Sequence, residues 1–148
     1  MTGGTALVHI GEVAERTGLS HRTIRYYEEM GLVEPAARTE GGFRLYDAAG
    51  IERLLLVMPM KPLGFTIEEI RDLLVALDVL RGPEGTEDGR AAARAVVDRT
   101  RATAQERVAE LKAATVRAEA FTSRLGQLRP DAAPLPVQAR DGRAGTRT

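Results

Sequence analysis

The side chains best suited to chemistry sit in two short runs, His21-Arg22-Thr23-Ile24-Arg25-Tyr26-Tyr27-Glu28-Glu29 and Phe43-Arg44-Leu45-Tyr46. Arginine guanidinium and tyrosine hydroxyl groups donate to phosphate oxygens, and arginine also pairs with guanine edges in the major groove of DNA. On a helix, Arg22 and Arg25 form an i, i+3 pair able to reach one strand or groove. Ile24 falls on another side, in line with Tyr27 or Glu28 one turn on. Neighbouring helical residues point about 100° apart, so one apolar stripe cannot take both Tyr26 and Tyr27. The chain has three Tyr, three Phe and no Trp, so two adjacent rings imply two jobs. One ring packs while the other, or its hydroxyl, reaches outward; for either, an ordinary amphipathic core residue is the alternative.

Composition excludes other chemistries. Cys is absent, which removes disulfides, thiolate metal sites, iron–sulfur clusters and cysteine nucleophiles together. The two histidines, His9 and His21, precede or begin the first helices and read as surface or DNA-facing residues, not metal ligands. Ser20 and Ser123 lack a paired His and acid, and Glu28-Glu29 and Glu68-Glu69 read as helix charges. An enzyme is not expected, nor a cofactor. No apolar run reaches the roughly 20 residues needed to span a bilayer, and the start lacks a signal peptide's basic region and long apolar core. A soluble cytoplasmic protein is expected. Net charge is zero, from 21 basic and 21 acidic residues, and residues 1–65 carry seven Lys/Arg against eight Asp/Glu, a balance of −1. Any DNA-binding surface must therefore come from local arrangement and not from a globally basic domain.

The elements that must position these residues are marked by caps and breakers. Residues 10–18 read as a short amphipathic helix with Ile10, Val13 and Ala14 on one face and Gly18 as its C-cap. Ser20 is a good N-cap for a second helix running from about His21 to Met30 and ending at Gly31. Two short helices joined by a glycine-containing turn make a helix-turn-helix unit, although any small helical bundle holds such pairs. Pro35 then stops regular structure, Gly41-Gly42 permits a tight hairpin, and Phe43 to Tyr46 alternate as a half-buried strand does. This small β-hairpin would be a wing. Asp47 caps a helix carrying Ile51, Leu54, Leu55 and Met58, which Pro59 and Pro62 end near Met58. Thr66 and Glu69 form a capping box for a helix through about Leu80, and residues 81–87 are a break.

From about Asp88 to Gln127 there is no proline, and Val97, Ala104, Val108, Leu111, Thr115, Ala118 and Leu125 follow a heptad seam. Roughly 40 residues at ~1.5 Å each make a rod of ~60 Å. A lone helix of that length cannot bury its stripe. With no second long helix in the chain, its expected partner is another copy of the protein, with Val97, Ala104, Val108, Leu111, Ala118 and Leu125 at the interface. Residues 129–148 hold three prolines with Ala, Gly and Arg, and are expected to be disordered.

Taken in order, "TIRYYEEMGLV", "GGFRLYD", "LGFTIEEI" and a long terminal helix resemble the MerR family of bacterial transcription regulators, in motif detail over residues 8–80 and in architecture to about 127. The resemblance implies a mainly α protein: a winged helix-turn-helix DNA-binding domain over 8–80, then a dimerisation helix over 88–127 that forms an antiparallel coiled coil. It implies a homodimer on a two-fold symmetric promoter operator in double-stranded DNA, altering promoter shape for RNA polymerase. Arg25, Tyr26 and Tyr27 match the family's helix-two stretch near DNA, and Arg44 and Tyr46 match its wing. His21 and Arg22 lie where members vary and read sequence; Arg16 and Arg38 are further phosphate contacts. Two departures stand out. Pro59 and Pro62 fall where members carry a continuous, more basic helical stretch, leaving Lys61 alone there. The cysteines of metal- and redox-responsive relatives are absent, and residues 129–148 cannot form the ligand domain of drug-responsive ones. Two functions follow: a promoter regulator answering to a small organic effector, or a ligand-independent repressor or architectural protein. A pocket lined by Phe65, Leu73, Leu77 and Phe121 favours the first, and solid packing there the second.

Overall fold

A computed structural model of the chain describes residues 6–128. The expected disordered tail, 129–148, lies outside them. The chain opens with a short strand, β1 (Val8–His9), leading into α1 (Ile10–Thr17), which buries Val13 and Thr17. Gly18 ends α1 at a φ of 73°, a left-handed value that only glycine takes without a Cβ clash. The Ser20 hydroxyl accepts from the Thr23 amide and starts α2 (His21–Glu29), so the turn between the two helices is set by local chemistry.

Two more strands follow, β2 (Ala37–Arg38) and β3 (Arg44–Tyr46), closed through Gly42 at φ 82°. The wing is larger than the two-stranded hairpin the sequence suggested. β3 pairs antiparallel with both β2 and β1, with Ala37 opposite Leu45 and Val8 opposite Tyr46, giving a sheet of order β1-β3-β2. A strand of two residues carries almost no pattern of its own; its partner across the sheet defines it.

Asp47 caps α3 (Ala48–Val57) by accepting from the Gly50 amide, and Met58 ends that helix just ahead of Pro59. The Thr66–Glu69 capping box starts α4 (Ile67–Arg81), with both reciprocal hydrogen bonds made. One core joins these pieces: Val13, Ile24, Tyr27, Tyr46, Leu54 and Ile70 are each no more than 1% exposed. Among the described residues no helix is long and apolar enough to cross a membrane.

The long helix, α5 (Glu87–Gln127), runs unbroken for 41 residues. The division into compact units does not follow the break at residues 81–87. The first unit is Met1–Val108 and the second begins at Ala109, inside α5. The reason is packing: Ala93 is buried, and Val97 and Ala104 lie against the core of their own protomer. These two side chains of the expected seam are thus partly covered by the winged domain. Of the remaining seam residues, Val108 is 40%, Leu111 53% and Leu125 51% exposed, and Ala118 is exposed too.

Candidate nucleic-acid interface

α2 separates its residues cleanly into two faces. Ile24 and Tyr27 are buried against the core, while His21, Arg22 and Arg25 are exposed. The two adjacent tyrosines have divided roles. Tyr27 is 1% exposed and Tyr26 is 36% exposed, with ring centroids 6.0 Å apart and tilted by 44°. Burial, helped by the neighbouring Tyr26, pushes the Tyr27 hydroxyl above the usual phenol range, so it stays neutral. Tyr27 is therefore a packing residue. As a DNA contact it is corrected: a ring with no surface cannot meet a phosphate.

The same correction applies to Tyr46. It has no exposed surface, and its hydroxyl donates to Glu28 Oε2 at 3.0 Å. Burial first, then this hydrogen bond and the Glu28 charge, push its pKa up to about 12. The strand alternation thus runs with Tyr46 inward and Phe43, 68% exposed, outward at the wing tip. Arg44 keeps 30% of its side chain exposed while its Nε donates to Glu28 Oε2. Arg38, half exposed, donates through Nη2 to Glu28 Oε1 at 3.4 Å and through Nη1 to the Gly42 carbonyl at 3.1 Å.

Two further cations were expected at or beside this face. Lys61 stands in the turn that Pro59 and Pro62 create, and its ammonium lies 5.5 Å from the centroid of the exposed Tyr26 ring. The proline-rich departure therefore brings Lys61 beside α2. Arg16, by contrast, is held in an ion pair by Glu12 one turn back. Arg25 and Arg44, with His9 and Phe43, line a cleft of about 290 Å³ between α1, α2 and the Gly41-Gly42 turn.

Some functional positions were not legible beforehand. Glu28 was read as an ordinary helix charge, yet its side chain is only 14% exposed and takes three donors. Arg53 donates to the Leu32 carbonyl at 2.7 Å and to Asp78, and Arg71 donates to the Met30 carbonyl at 2.6 Å. Both clamp the chain where it leaves α2. No sequence signal marks these pairs, which join residues 21 to 41 positions apart. Among the described residues no three His, Cys, Asp or Glu side chains gather as a metal site would require.

Known proteins align with this arrangement. The family model for the MerR HTH family regulatory protein matches residues 8–77, and the model for MerR, DNA binding matches residues 51–120. The mercuric resistance operon regulatory protein of Bacillus cereus is 45% identical over 69 residues, which are 47% of this chain and 52% of that one. The chain thus spans about half the length of the curated relatives it matches. The crystal structure of a MerR family transcriptional regulator from Listeria monocytogenes superposes with a TM-score of 0.61 at 28% identity, covering 81% of this chain and 86% of that one. HiNmlR, a MerR family regulator lacking the sensor domain and bound to promoter DNA, superposes at 0.63 over 83% of this chain and 95% of its own, and at 22% identity this supports the fold. With the two family models together spanning residues 8–120 and a winged helix-turn-helix built as described, the chain belongs to the MerR family of DNA-binding transcription regulators, which are not enzymes.

Proposed function

We propose that the protein regulates transcription by binding a two-fold symmetric promoter operator as a homodimer and changing the shape of the promoter DNA presented to RNA polymerase. The observation that carries this reading is one face of the first unit, where Arg22, Arg25 and Tyr26 of α2 stand exposed beside Arg38 and Arg44 of the wing and Lys61. His21 and Arg22 begin the recognition helix, where base edges are read. Arg25, Tyr26, Arg44, Arg38 and Lys61 supply phosphate contacts that fix register. Arg16, about half exposed beside its partner Glu12, is a further phosphate contact. The dimer forms through Val108, Leu111, Ala118 and Leu125, apolar or small side chains left exposed on α5. Selection from random DNA, followed by footprinting, tests the proposal. A palindromic site with half-sites about one helical turn (~34 Å) apart, or a multiple of it, is expected; a selection that yields no symmetric site overturns it.

Two modes of control follow from this reading. The sequence holds no cysteine thiolate for a soft metal, and the effector we propose for the regulator is a small organic molecule. The alternative is a ligand-independent repressor or architectural protein, and packing favours it. Phe65 and Leu73 are each 7% exposed within the core, Leu77 packs partly buried against that core, and Phe121 is exposed. The space beside Phe65 is a small open cleft of about 250 Å³ whose wall is mixed, with Val96 and Phe65 beside Glu69, Asp72, Arg99 and Thr100.

A further inference from the structure

An acid on a DNA-facing helix is expected to point into solvent, where it repels phosphate. Glu28 does not. Its side chain is 14% exposed and is enclosed by three donors from the wing: Arg44 Nε and the Tyr46 hydroxyl on Oε2, and Arg38 Nη2 on Oε1. These donors come from both β2 and β3, so a single carboxylate on the recognition helix grips two strands of the wing. Arg38 extends the grip to the wing tip by donating to the Gly42 carbonyl. Arg44 spends Nε on Glu28, and among the described residues its two terminal nitrogens make no hydrogen bond. A guanidinium held at Nε presents its other edge as a fixed fork, which is the geometry a phosphate accepts. The neutral Tyr46 hydroxyl, with a pKa of about 12, keeps donating at any physiological pH.

We propose that Glu28 is a positioning residue for DNA recognition: by binding Arg38, Arg44 and Tyr46 it locks the wing to the recognition helix, so that helix and wing dock on the operator in one relative orientation. The proposal rests on the DNA-binding reading above. It makes a counterintuitive demand, because removing a negative charge from a DNA-binding face ordinarily strengthens binding to every sequence.

The test compares Glu28→Gln with Glu29→Gln in the full chain. Both remove one charge from α2, but Glu29 is exposed and makes no side-chain hydrogen bond among the described residues. Affinity is measured for the selected operator and for random duplex DNA, across a salt series. Glu28→Gln is expected to lose roughly tenfold in operator affinity, equivalent to about 1.4 kcal/mol, while its affinity for random DNA holds or rises. Its salt slope should stay that of the wild type, since no phosphate contact is deleted. Glu29→Gln should keep or raise both affinities. If Glu28→Gln binds operator and random DNA more tightly alike, the proposal is overturned. Should Glu28→Gln not fold, Tyr46→Phe removes one donor while keeping the buried ring, and an unchanged operator-to-random ratio there overturns the proposal as well. A wild type with no preferred DNA sequence defeats the DNA-binding reading itself and takes the proposal with it.

Discussion

Leu111→Asp is the sharpest probe of assembly. Leu111 is 53% exposed in one protomer, so about half of its surface is left for a partner helix to cover. Fully burying a leucine stabilises by roughly 1.5–3 kcal/mol, and the uncovered half is worth about 1 kcal/mol per chain. In a two-fold dimer each substitution counts twice. An aspartate placed there also brings a carboxylate into the seam, at an effective cost of several kcal/mol per ion when unpaired. The sum exceeds roughly 6 kcal/mol, more than about 10⁴-fold in the dimer dissociation constant. Leu111→Ala, lacking the charge, should cost only about 2–3 kcal/mol in total, one to two decades. Val97 and Ala104 anchor the first part of α5 to its own winged domain, so the variant's helical circular dichroism should survive. Sedimentation at micromolar concentration should show a folded monomer that no longer protects a full operator from nuclease, although no DNA-facing residue was changed. A Leu111→Asp protein that sediments as a dimer and protects the whole site would refute the seam.

Arg25→Ala should weaken binding to all DNA sequences and lower the salt slope by about one, whereas Arg22→Ala should also relax base preference at one position by roughly 1–3 kcal/mol; titrations on operator variants separate the two. Alkali should destabilise the fold in a defined window. Tyr46 has its folded pKa raised to about 12 and Tyr27 is raised too, so the neutral rings stabilise fully below the unfolded value of about 10, and this is lost as pH climbs through the folded values. Urea midpoints should be level up to pH ~10 and fall above it, and midpoints that rise there contradict the assignment. Operator affinity and promoter output in a purified transcription assay should be indifferent to copper, zinc and chelators, because no thiolate is present to hold a soft metal. A metal-dependent change in output would point to a carboxylate and histidine site.

The chain's local order was legible without coordinates because its signals act within one turn. Ser20, Asp47 and the Thr66–Glu69 box start their helices where side-chain oxygens meet amides three residues on. Gly18, Gly31, Gly42 and Gly64 take the positive φ values that stop or turn the chain. Periodicity also put Arg22 and Arg25 on a face of α2 away from Ile24, and that is where they stand. Tertiary structure decided matters that depend on residues far apart in sequence. It chose Tyr27 over Tyr26 for the core, turned Tyr46 inward, added β1 to the wing, and drew Val97 and Ala104 to their own protomer. It also made Glu28 the meeting point of Arg38, Arg44 and Tyr46, residues 10 to 18 positions away. A helical or strand period tells which side chains share a face. What that face meets, whether core, solvent or a carboxylate on another element, is set only when the elements pack, because burial and ion pairing depend on distances that sequence spacing does not encode.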